Sequence, residues 1–230
     1  MKKTVSLLLA ILIISLIPTF AFADSEIRVT GTGEVLVPAD TAVVMLGVSA
    51  ADEDVRTAQG MANEAIASIR SALIEGGIAE EDINTDYINI YAMYDYAGSS
   101  EKITGYNANS TLAIRVKDID RVGEVIDLAF GAGANTLNGI NFSATDTTEA
   151  KEKAMRLAVA DAQAKADVLA DAAGLQIRGI EDISEQNTYS YDKGVMNNFD
   201  VEEASAAGTV IQAAKLTVSS SIVITFKADR

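Results

Sequence analysis

The chain has 230 residues, with 18 Lys and Arg against 33 Asp and Glu, for a net charge of −15. Nucleic acid and anionic lipid surfaces are bound through cationic side chains, so this balance excludes both as partners. The sequence holds no His, Cys or Trp. Their absence removes Ser–His–Asp and Cys–His nucleophile systems, thiol redox chemistry, disulfides, and zinc or copper held by His or Cys.

Lys2 and Lys3 stand before a nearly unbroken apolar run from Val5 to Ile17. Ala21-Phe22-Ala23 then offers small residues at the positions a signal peptidase reads. The sequence therefore predicts a cleaved signal peptide over 1–23, with cleavage near Ala23/Asp24. One mature domain over 24–230 follows, periplasmic or secreted. A membrane-spanning helix needs about 20 apolar residues. This run is shorter and is broken by Pro18, and no Cys follows to carry a lipid. The expectation is neither a membrane span nor a lipid anchor. Loss of Lys2 and Lys3 takes the mature charge to −17.

Two periodicities then alternate. Ile27, Val29, Val35 and Val37 mark a first strand, with Arg28, Thr30 and Glu34 on its other face. Pro38-Ala39-Asp40 reads as a turn. Ala42, Val44, Leu46, Val48 and Ala50 give a second strand with one apolar face. Val55, Ala58, Ala62, Ile66, Ile69 and Leu73 fall on one helical stripe that Gly76-Gly77 ends. Extended chain returns over 82–94, and Leu112, Ile114 and Val116 alternate in a fourth strand. A short helix is predicted from Asp118, with Ile119, Val122, Ile126 and Ala129 inward. Ile140, Phe142 and Ala144 make a fifth strand.

The third helix has the strongest local signals. Asp146 and Glu149 have the spacing of an N-terminal capping pair, and Gly174 sits where a C-terminal glycine belongs. Ala150, Ala154, Leu157, Ala160, Ala164, Val168 and Ala172 are predicted to line its buried face, packed closely on a sheet. Glu149/Lys153, Glu152/Arg156 and Asp161/Lys165 are i,i+4 pairs in the favourable order. A sixth strand is predicted over 175–184, and a variable loop over 186–209. A long last strand follows, in which Ala214, Leu216, Val218, Ser220, Ile222, Ile224 and Phe226 alternate with polar residues. The order β-β-α-β-β-α-β-α-β-β predicts an α+β fold: a largely antiparallel sheet of about seven strands, with three helices packed on one face.

That order, together with particular residues, resembles the SIMPL domain family, which includes bacterial periplasmic immunogenic proteins. Gly31-Thr32-Gly33-Glu34-Val35 followed by Pro38-Ala39-Asp40 resembles the family's first hairpin. Gly77-Ile78, Glu81-Asp82-Ile83 and Thr85 are similar to its passage from the first helix into the third strand. The Ala-rich helix ending in Ala173-Gly174-Leu175, with Ile183-Ser184-Glu185 after it, resembles its most recognisable segment. The resemblance runs over nearly all of 26–228. It implies an exported α+β domain that often self-associates and has no established catalytic residues. Stress tolerance and envelope integrity are associated with some members. A fold likeness alone confers no function.

Several groups invite a chemical reading. Gly31-x-Gly33 lies in a strand and lacks the third glycine and the lysine of a phosphate loop, so a bulge or hairpin glycine is expected. Asp118/Asp120 and the group Asp192, Asp200, Glu202 and Glu203 match no calcium-loop spacing and read as solvated acids. Lys102, Lys193 and Ser99 lie in apparent loops with no partner fixing their geometry. No catalytic residue, metal or cofactor is expected, and the protein is read as a non-enzyme. Tyrosines are the most suggestive group. Tyr87, Tyr91, Tyr94, Tyr96 and Tyr106 crowd into the two middle strands and their connection, with Tyr189 and Tyr191 in the later loop. An interface and an ordinary sheet surface both account for them. The candidate interface residues are Tyr91, Tyr94, Tyr96, Tyr106, Tyr189 and Tyr191. The functional expectation is an exported domain that forms homo-oligomers and acts through envelope protein contacts, with a role in stress tolerance. The alternative is a small-ligand or peptide-binding module built on the tyrosine-bearing strands and loops.

Overall fold

The computed structural model describes residues 25–95, 102–191, 209, 211 and 215–230, with 187–191 described by backbone alone. The predicted signal peptide lies outside the described residues. Seven strands and three helices follow the predicted order: β1 Ser25–Pro38, β2 Thr41–Asp52, α1 Val55–Glu75, β3 Ile83–Asp95, β4 Lys102–Val116, α2 Val122–Gly131, β5 Thr136–Ser143, α3 Thr148–Ala173, β6 Gln176–Tyr191 and β7 Lys215–Asp229. All strand pairings are antiparallel. The fold is α+β.

The strands divide between two sheets, in the orders β3-β4-β2-β5 and β1-β7-β6. The resemblance implied a hairpin of β1 with β2, but these two strands lie in different sheets. β1 instead pairs along its whole length with β7, from Ser25 opposite Ala228 to Pro38 opposite Lys215. The Pro38-Ala39-Asp40 turn thus hands the chain from one sheet to the other. The Asp40 amide donates to the Ser143 carbonyl at 3.1 Å, and its carboxylate takes the Thr145 amide at 2.9 Å.

In the four-stranded sheet, Ala42, Val44, Leu46 and Val48 of β2 and Leu112, Ile114 and Val116 of β4 are buried beneath α1 and α2. Ile69 and Leu73 of α1 and Val122 and Val125 of α2 complete that core. Asp54 caps α1 by accepting the Arg56 and Thr57 amides at 3.0 and 2.9 Å. In the three-stranded sheet, Ile27, Val29, Ile222, Ile224 and Phe226 pack beneath α3.

The buried stripe of α3 is Ala150, Ala154, Ala158, Ala162, Ala166 and Ala170, a strict four-residue repeat. Of the seven residues the sequence pattern places inward, Ala150 and Ala154 are buried, whereas Leu157, Ala160, Ala164, Val168 and Ala172 are exposed, Val168 to 69%. The reason lies across the interface. A Cβ on Gly31 would fall on the Ala158 carbonyl oxygen and 2.7 Å from the Ala162 Cβ, and one on Gly33 would fall on the Ala154 carbonyl oxygen. These glycines serve neither a bulge nor a hairpin. They admit the helix backbone, which approaches Gly31 at Ala158 and Ala162 and Gly33 at Ala154, Leu157 and Ala158. Of the three predicted helix ion pairs, Asp161–Lys165 forms, at 2.7 Å. At the helix start, Asp146 accepts the Thr148 amide at 2.8 Å. Gly174 closes it in the left-handed region at φ 66°.

β6 runs on to Tyr191, seven residues beyond the predicted end at 184 and into the expected loop. Its extension pairs residues 187–191 with 217–221 of β7. The segment lacks apolar alternation in its sequence, which is why the sequence predicts no strand there.

Candidate interaction surface

An open sheet leaves two edges, and an unpaired edge invites another strand. The two sheets here have four edges: β1, β6, β3 and β5. Three carry features that discourage pairing. On β1, the Thr32 amide donates to Asp161 at 2.8 Å and the Thr30 carbonyl accepts from Lys165 at 3.0 Å. β6 is interrupted by three register shifts and carries Arg178, Glu181, Asp182 and Glu185. β5 is only eight residues long and is broken by a register shift opposite Met45/Leu46.

β3 differs. Its register shifts fall between Thr85 and Tyr87 and between Met93 and Tyr94. Between them Tyr87-Ile88-Asn89-Ile90-Tyr91-Ala92-Met93 runs without a charge, a proline or a shift. Such seven-residue stretches of strong β-formers are the type that adds strands. Among the described residues only β4 pairs with β3.

The register also sorts the tyrosines, because directly opposed residues share a face. Tyr87 opposes Thr111, Tyr91 opposes Asn107 and Tyr94 opposes Ile103. Tyr87 and Tyr91 lie on the face away from α1 and α2, and each of the three tyrosines is about half exposed. The extra residue at the second shift is Thr104 on β4, so β3 keeps its alternation and Tyr94, three residues after Tyr91, points to the opposite face. Ile88, at 63% exposed, points to the other side. Tyr106 opposes Ala92, so it is turned to the helix side and half-buried. Tyr96 lies outside the described residues. Tyr189 and Tyr191 belong to β6 in the other sheet, and their side chains are likewise outside the description. The structure therefore brings Tyr91 together with Tyr87, and separates Tyr94 and Tyr106 from them. Ile88 is the exposed apolar residue of the β3 edge that tyrosine counting missed. The uncharged run 87–93 was the signal that could have shown Ile88.

Chemistry elsewhere is sparse. Asp118 caps a short turn by accepting the Asp120 amide at 3.2 Å. Among the described residues no group of three carboxylates gathers to hold a metal, and no helix is long and apolar enough to cross a membrane. Asp192, Asp200, Glu202, Glu203, Ser99 and Lys193 lie outside the described residues.

Residues 27–226 match the family model SIMPL, described as a protein of unknown function (DUF541). The chain is 32% identical over 166 residues to the 26 kDa periplasmic immunogenic protein of Brucella melitensis, an alignment covering 70% of this chain and 66% of that protein. It is 28% identical over 146 residues to the uncharacterized protein YggE of Escherichia coli, covering 64% of this chain and 59% of that one. The chain thus spans just under two thirds of the length of these relatives. With the family model matched along nearly the whole described region, the chain belongs to the SIMPL family.

Proposed function

We propose that the protein is an exported, non-enzymatic domain of the cell envelope that self-associates and acts through protein contacts. The observation that carries this reading is the open edge of β3, where seven consecutive uncharged residues present Tyr87, Ile88 and Tyr91 to solvent. On a chain of net charge −15, copies repel one another everywhere except at such neutral patches. Pairing β3 with β3 of a second copy about a two-fold axis through Ile90 sets Tyr87 against Met93, Asn89 against Tyr91 and Asp86 against Tyr94. No two acids then face each other. The predicted signal peptide over 1–23 and the periplasmic name of the Brucella relative support a periplasmic location. A part in envelope stress tolerance follows from the resemblance.

Light scattering coupled to size-exclusion chromatography on the mature chain from Asp24 tests the reading. The wild type is expected to elute as an oligomer, and Ile88→Lys as a monomer with an unchanged circular dichroism spectrum. Ile88 is exposed, so the lysine charges the edge without entering the core. A wild type that stays monomeric at high concentration, or an Ile88→Lys variant that assembles normally, overturns it.

A further inference from the structure

The helix-free face of the four-stranded sheet carries a second feature at the end opposite the tyrosines. There Asp40, Thr41, Arg115, Lys117 and Thr145 line a cleft of about 520 Å³ over Val43. An adjoining hollow of about 190 Å³ shares Arg115 and Lys117 and adds Arg121. Small-molecule sites commonly occupy about 300–1,000 Å³.

The charges in this cleft are not equivalent. Lys117 is committed to the mostly buried carboxylate of Asp82 at 2.6 Å. Arg121 is held by Glu124 at 3.0 Å and by the Gly76 carbonyl at 2.6 Å. Arg115 stands opposite Val43 on an inner strand and has neither a hydrogen bond nor an ion pair among the described residues. Its planar fork matches a carboxylate in bidentate fashion. On the facing wall, Asp40 Oδ1 accepts from the Thr41 hydroxyl at 2.9 Å, the Thr145 amide at 2.9 Å and the Thr145 hydroxyl at 3.0 Å. Oδ2 takes only the Thr145 amide, at 3.2 Å, and so has acceptor capacity to spare. These donors, led by the Thr145 N–H, hold the Asp40 carboxyl below the usual carboxylate range, so it stays ionised.

A fixed carboxylate on one wall disfavours a simple anion, and an unpaired guanidinium on the other disfavours a simple cation. The long-range field of a strongly acidic chain also repels free anions, whereas a ligand of zero net charge escapes it. We infer that the cleft binds a zwitterion, an α-amino acid or short unblocked peptide, with its carboxylate on Arg115 and its ammonium on Asp40. The Thr41 and Thr145 hydroxyls border the space between for a peptide amide.

Calorimetric titration of the mature chain with unblocked di- and tripeptides, each beside its N-acetylated and C-amidated forms and beside acetate, tests this inference. Unblocked peptides are expected to bind, and either blocked form at least tenfold more weakly. Arg115→Gln is expected to lose binding while its melting temperature without peptide stays unchanged, because Arg115 bonds to nothing described. Its oligomeric state is expected to match the wild type, which separates this site from the β3 edge. Absence of peptide binding overturns the inference. So do equal affinities for blocked and unblocked forms, acetate binding as tightly as peptide, or peptide binding retained in Arg115→Gln.

Discussion

The backbone amide of Thr32, on the outer side of β1, donates to the carboxylate of Asp161 on α3 at 2.8 Å. With Lys165 on the neighbouring Thr30 carbonyl, an i,i+4 ion pair occupies polar groups that a foreign strand would need. A surface pair of this sort adds little stability of its own. Its consequence is specificity: β1 is closed to strand addition while β3 stays open.

Asp161→Ala is therefore expected to leave the fold in place and to increase ordered aggregation, read as thioflavin fluorescence over time. The Lys165 ammonium first, and then the Thr32 amide, hold the Asp161 carboxyl below its ordinary value. The sign is that of a depressed acid: the interaction is fully present above the unfolded value of 3.8 and lost as pH falls through the folded one. Wild-type aggregation is expected to approach that of Asp161→Ala as pH drops below that window. Equal aggregation of the two proteins at neutral pH would show that the pair does not guard the edge.

Gly31 and the alanine stripe give a sharper test of packing. No rotamer adjustment can accommodate a methyl group at Gly31, because the obstacle is the Ala158 carbonyl and the Ala162 backbone nitrogen 2.6 Å away. Overpacking of well-filled sites costs about 1–3 kcal/mol, and here the helix backbone itself must retreat. Gly31→Ala is expected to lower stability by at least about 3 kcal/mol, and Gly60→Ala, where a Cβ meets nothing, to leave it unchanged or raise it slightly. Chemical denaturation midpoints at constant m-value decide between them.

The same contact shows where the sequence could be read and where it could not. The strands, the helices and the glycines that end α1 and α3 come from local signals: alternation, helical spacing, and turn residues at element ends. The face of α3 that is buried does not. Helical periodicity favoured Leu157, Ala160, Ala164, Val168 and Ala172, but burial is decided by how the helix backbone seats on glycines more than a hundred residues earlier. The split into two sheets is equally non-local, because β1 finds β7 at the far end of the chain and passes over its neighbour β2. For the candidate surface, residue type pointed to Tyr91, while the opposite facing of Tyr94 and Tyr106 depends on strand alternation and cross-strand register. The Asp40–Arg115 cleft is assembled from a turn and three strands, so no stretch of sequence displays it.

The last relationship joins Thr209 to α2. The Thr209 hydroxyl donates to Asp127 of α2 at 2.6 Å and its amide donates to the same carboxylate at 3.1 Å. Gly123, one turn earlier on α2, leaves room for the Thr209 carbonyl, which a Cβ there would strike. Ile211 then packs against the core beneath α1 and α2. Thr209 and Ile211 are thereby fastened to the side of the four-stranded sheet that carries α1 and α2. Both donors, the hydroxyl foremost, hold the Asp127 carboxyl below its ordinary value. The attachment is thus fully present above pH 3.8, the unfolded value, and is released as pH falls through the folded one. In a carbon-13 titration, Asp127 is expected to titrate below the usual range, and Thr209→Val to move it back up while keeping the amide bond. Gly123→Ala, by displacing the Thr209 backbone, is expected to remove both donors and return Asp127 the rest of the way. A titration that neither substitution moves would show that Thr209 does not hold Asp127 in solution.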